Sequence, residues 1–132
     1  MEVERSADWM DQARGDLELA RTAMERGFQE WACFASQQAA DKAVKAVFQK
    51  LHRDVWGHSV AALLEALSRE IHVPQELYES ALELDKAYVP TRYPNAHVQG
   101  SPRRLYTKRE AERLIGYAEQ ILTFCEGLLA SL

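Results

Sequence analysis

Long apolar runs are missing from this 132-residue sequence, and cysteine, with two residues, is scarce. No stretch approaches the roughly 20 apolar residues that a membrane-crossing helix needs, so no such helix is expected. The opening Met1-Glu2-Val3-Glu4-Arg5 has neither a basic lead nor an apolar stretch, which speaks against a signal peptide. A cytoplasmic location is therefore the expectation. Cys33 and Cys125 lie far apart, with no histidine at metal-ligand spacing. They read as buried free thiols that behave as small hydrophobes, and no metal or cofactor is expected. A glycine-rich phosphate loop, a paired-carboxylate metal site and a serine–histidine–acid set are also absent from the spacing.

What is present suits one all-α domain spanning residues 1–132. The sequence is 47% hydrophobic and 27% charged, which excludes wholesale disorder. Apolar residues recur at three- and four-residue steps, and strand-like alternation is missing. A first helix is expected over 7–26, with Ser6 as N-cap, Gly27 just past its end, and Trp9, Ala13, Leu17, Ala20 and Met24 as the buried stripe. A second is expected over 30–51, with Trp31, Phe34, Val44, Val47, Phe48 and Leu51 inward. Beside that stripe runs a row of small residues, Ala32, Ala35, Ala39, Ala43 and Ala46, which lets a neighbouring helix approach closely. Two shorter helices follow, over 59–71 and from Pro74 to a stop at Pro90. The last helix starts at Thr107, with Glu110 as capping-box partner, and keeps an apolar seam from Ala111 to Leu129. An up-and-down bundle of about five helices is the expected architecture.

Charge is distributed unevenly. Between Lys86 and Arg109 there are six basic residues and no acidic one, whereas the chain as a whole carries −4. The basic segment contains a connection over 90–106 holding three of the four prolines, long for so small a domain. At its end Lys108 and Arg109 occupy the first turn of the last helix, where the dipole disfavours cations. Together with Arg103 and Arg104 they form a candidate site for RNA or nucleotide phosphate. The solvated alternative, in which these cations face only water, costs little.

The stretch Trp31-Ala32-Cys33-Phe34-Ala35-Ser36-Gln37-Gln38-Ala39-Ala40-Asp41-Lys42-Ala43-Val44-Lys45-Ala46 resembles the second-helix signature of HEPN domains. Pro90-Thr91-Arg92-Tyr93-Pro94-Asn95, followed by Tyr106-Thr107 at the start of a long helix, is similar to the later part of the same family. The resemblance implies a helical bundle that forms a homodimer or a higher homo-oligomer. It also implies a role in a toxin–antitoxin pair beside a small nucleotidyltransferase, either as a metal-independent ribonuclease or as a non-catalytic subunit. That subunit would bind a nucleotide or dock the nucleotidyltransferase; a purely structural dimer module is a third reading. The family's active motif is an arginine followed, after four to six residues, by a histidine. Arg92 and His97 match it, and so do Arg53 and His58, which flank a turn beside Trp56 and Gly57.

Such chemistry has definite requirements. Histidine can move the proton of a ribose 2′-hydroxyl, and a guanidinium can meet two phosphate oxygens in one plane. Arg92 and His97 would fill those roles, with twin pairs meeting across a two-fold dimer. Tyr88 or Tyr93 would stack on a base. The competing structural account has Arg92 capping the fourth helix or pairing with Asp85, and His97 solvated in its loop.

Overall fold

The computed structural model describes residues 4–132; residues 1–3, part of the opening segment read above for a signal peptide, lie outside it. Among the described residues six α-helices follow in order: α1 (Ser6–Glu25), α2 (Gln29–Lys50), α3 (Val60–Leu67), α4 (Gln75–Asp85), α5 (Pro102–Leu105) and α6 (Lys108–Ser131). The long connection before α6 contains both a 3-10 turn, Pro94–Ala96, and the single turn of α5. It is thus more structured than a bare loop. No helix among the described residues is long and apolar enough to cross a membrane.

α2 forms the centre, packed against α1 and α6, while α3 and α4 pack on each other and α4 closes against α6. The alanine row explains why α2 takes the central place. Ala32, Ala39, Ala43 and Ala46 are fully buried and Ala35 nearly so, which lets the neighbouring helices approach closely. The α6 seam is buried from Ala111 to Cys125, then opens at Leu128 and Leu129. Lys42 to Asp16 ties α2 to α1, and Arg14–Glu126 (2.7 Å) ties α1 to α6.

Local signals explain the helix ends. Gly27 takes a left-handed φ of 84°, its N–H reaching Met24 O and that of Phe28 reaching Ala23 O. Both bonds belong to a glycine-terminated helix end. His52, at φ 56°, ends α2 with the same pair of bonds despite its side chain. Thr107 accepts from Glu110 N at 3.1 Å and Ser59 accepts from Ala62 N at 3.1 Å, so each caps the helix that follows.

Several expectations shift. Ser6 is the first residue of α1 rather than its cap, and its N–H donates to the Glu4 carboxylate instead. Met10, not Trp9, lies fully in the core, a one-residue change of phase at the chain end where few turns fix the stripe. Trp31 is 49% exposed, because α1 and α6 cover the alanine faces of α2 and leave the Trp31 face open. α4 stops at Asp85, so Tyr88 and Pro90 belong to the turns beyond it.

Both cysteines are fully buried and free. Burial pushes the Cys33 thiol up to about 12 and pushes Cys125 up as well. Only the thiolate is a good nucleophile. Native protein should therefore react with a soluble disulfide reagent roughly a hundredfold or more slower than unfolded protein. Stopped-flow absorbance with and without denaturant checks this.

Candidate functional site

The turns after α4 position the first functional side chain. Thr91, 1% exposed, donates from its hydroxyl to Ala87 O at 2.7 Å. Arg92 donates from Nε to Tyr88 O at 2.9 Å. Two successive side chains thus bond the carbonyl four residues back, which fixes the segment and aims Arg92 at α2. There its guanidinium carbon lies 4.4 Å from the centre of the Phe34 ring, 4.8 Å from Tyr88 and 5.4 Å from Tyr93. Aromatic faces attract a cation and strip water from it. The Arg92 Nη groups have no carboxylate within 4.0 Å among the described residues, so a caged guanidinium keeps its outward donors open.

The cage continues along α2. Phe34 meets Tyr88 at 6.1 Å and Trp31 edge-on at 6.1 Å. Phe28, one turn earlier and 43% exposed, carries the Arg103 guanidinium 5.8 Å from its ring centre. Trp31, Phe34 and Tyr88 therefore form one run of rings about Arg92, and Phe28, just before α2, carries a second guanidinium. Arg104, Lys108 and Arg109, in the same stretch of chain as Arg103, are exposed. Like Arg103, none of the three has a carboxylate within salt-bridge distance among the described residues.

His97 is placed differently. Its Nε2 lies 2.6 Å from Pro90 O, and its ring meets Tyr106 edge-on at 6.0 Å. A carbonyl only accepts, so Nε2 carries the hydrogen. Burial, followed by the charge of Glu110, pushes the Tyr106 hydroxyl up to about 12, which leaves a neutral phenol as neighbour. Arg92 and His97 share neither a hydrogen-bond partner nor a ring partner. In the second arginine–histidine match, Arg53 donates to Glu70 at 2.8 Å, while His58 turns to Asp41.

Asp85 does not meet Arg92. Its carboxylate sits at the start of α3, accepting from Val60 N (2.8 Å), Ala61 N (3.0 Å), Ser59 Oγ (2.9 Å) and Gln37 Nε2 (3.2 Å). The sequence offered no local sign of this, since 26 residues separate Asp85 from Ser59.

The reading from sequence also missed a cluster around Asp41. This carboxylate is 2% exposed, and its Oδ2 lies 3.1 Å from His58 Nδ1. Lys45 Nζ donates to Oδ2 over 3.3 Å and makes a charge contact with Oδ1 at 3.1 Å outside hydrogen-bond geometry. The His58 ring stacks on Tyr88 at 5.4 Å and 14°, so His58 and Arg92 share that tyrosine. One signal could have found it: Asp41 interrupts a run of buried alanines with a lysine four residues on.

An all-helical bundle built on an alanine-lined central helix, with a basic–aromatic face beside its last connection, defines the class. The chain belongs to the HEPN domain family, whose sequence model matches residues 6–128. Three solved structures are similar. TT1696 from Thermus thermophilus is 44% identical over 96% of this chain and 99% of that one, with a TM-score of 0.93. A HEPN domain protein from Thermotoga maritima, TM0613, is 51% identical over 95% and 99%, with a TM-score of 0.80. ST0689, an archaeal HEPN homologue, is 41% identical over 95% and 98%, with a TM-score of 0.81. No curated protein matches the chain.

Proposed function

We propose that this HEPN protein binds RNA or a nucleotide through its phosphates, as the binding member of a toxin–antitoxin pair with a small nucleotidyltransferase. The toxin–antitoxin setting and the nucleotidyltransferase rest on the family resemblance. The binding rests on one observation: Arg92 is held by three aromatic rings and a carbonyl, and no carboxylate among the described residues satisfies its outward donors. Proteins that bind single-stranded nucleic acid combine stacking rings with cations along the backbone path. Trp31, Phe34 and Tyr88 with Arg92, and Phe28 with Arg103, supply both. Cleavage by Arg92 and His97 needs both groups at one phosphate, an arrangement left for a two-fold dimer to supply.

Fluorescence anisotropy with a labelled RNA hexamer in EDTA tests the reading. Wild type should bind with strong salt dependence, and Arg92→Ala should bind much more weakly. Equal binding by the two proteins would retire Arg92 as the anchor. Arg103→Ala/Arg104→Ala should weaken binding more modestly and reduce the slope of log affinity against log salt by about 1.4, since each of two lost contacts on a single strand accounts for about 0.7. An unchanged slope would remove α5 from the ligand path.

A further inference from the structure

Building on the reading of Arg92 as a phosphate anchor, we infer that His58, oriented by Asp41, is the residue that recognises a ribose hydroxyl beside that phosphate. Asp41 Oδ2 is 3.1 Å from His58 Nδ1 and, as a carboxylate oxygen, can only accept; Lys45 Nζ, 3.4 Å from the same nitrogen, can only donate. The shorter contact and the buried carboxylate fix the hydrogen on Nδ1, since a bare Nδ1 lone pair would repel Asp41. In the neutral ring Nε2 is then a lone-pair acceptor, so recognition of a hydroxyl belongs to neutral His58. Nε2 has no partner among the described residues, on a side chain that is 54% exposed.

An acceptor at that point complements a hydroxyl donor rather than a phosphate oxygen. Arg92, on the same Tyr88 ring, complements the phosphate. His58 and Tyr88 also line a surface hollow with Lys86 and Pro90, which leaves room for a sugar. Inside a strand, where the 3′ oxygen is esterified, a phosphate with a free hydroxyl next to it is the signature of RNA, since only the 2′-hydroxyl remains. Asp41 is a positioning residue: it touches His58, not the ligand.

The test compares an RNA hexamer with the DNA hexamer of the same sequence, in EDTA, on wild type, His58→Ala and Arg92→Ala. Wild type should favour RNA by several-fold. In His58→Ala the preference should disappear, the ratio of RNA to DNA affinity falling to about one. Arg92→Ala should lose both. In the imidazole region of a proton–nitrogen NMR spectrum, RNA should move the His58 signals and leave those of exposed His52 and His72 in place. A role for His58 confined to tethering the loop before α3 would predict no change in the RNA-to-DNA ratio. A wild type without RNA preference, or His58→Ala retaining it, overturns the assignment of His58 while Arg92 stands. Undiminished binding by Arg92→Ala, or a wild type that binds neither hexamer, fails the anchor itself and the hydroxyl assignment with it.

Discussion

Asp85→Ala should cost about 2–4 kcal/mol of folding free energy and lower the midpoint of thermal unfolding by roughly 10 °C. The carboxylate accepts four hydrogen bonds, two of them from backbone N–H groups in the first turn of α3. Bonds to a charged acceptor are each worth about 1.5–3 kcal/mol, and a carboxylate at a helix start adds its interaction with the dipole. They do not sum, because water can reach a half-buried site and replace some of them. Asp85 also joins the end of α4 to the start of α3 and to Gln37 of α2, so its loss loosens three helices at once. Asp85→Asn keeps one acceptor oxygen and should recover part of the loss. Differential scanning calorimetry on the three proteins checks the order. An unchanged midpoint in Asp85→Ala would mean that solvent satisfies these donors fully.

Arg92→Ala should weaken RNA binding by about 10- to 100-fold, the equivalent of one strong charge-assisted contact. The substitution removes the guanidinium from a site where Phe34, Tyr88 and Tyr93 have already displaced water from its faces. Arg92→Lys should not restore the full affinity. An ammonium keeps the charge but loses the planar fork and the bond from Nε to Tyr88 O. Folding should be nearly unaffected by either change, because Thr91 continues to fix the turn through Ala87 O. Anisotropy titrations at two salt concentrations separate the lost contact from a general loss of charge: Arg92→Lys should retain the salt slope and lose affinity.

The bundle was largely legible because helical periodicity is local. The seam from Ala111 to Cys125, the alanine row on α2 and the breaks at Gly27 and Thr107 each come from a few neighbouring residues. Trp31 was misjudged for a reason periodicity cannot supply. Being apolar places it on a stripe, but which stripe is covered depends on where α1 and α6 lie. The site was legible in part. The basic segment and Arg92 stand out in the sequence, but the rings around Arg92 come from α2 and from the turns on either side of it. Spacing coupled Arg92 to His97, whereas the fold turns His97 toward Pro90 and Tyr106. Likewise Asp85, one helical turn from Tyr88, is taken up by α3 instead of Arg92. Asp41 and His58, 17 residues apart, meet only because the chain after α2 folds back over it. Contacts of this kind follow from packing and leave no local pattern.

The Arg92 side chain itself offers the most direct test of the anchor. Its Nε–Hε cross-peak, assigned by its loss in Arg92→Lys, can be followed while a short RNA is added in EDTA. A shift of that peak that saturates with the binding isotherm is the predicted result. A peak that stays still while backbone amides of residues 103–109 move would place the phosphate at α5 and the start of α6, and contradict the account.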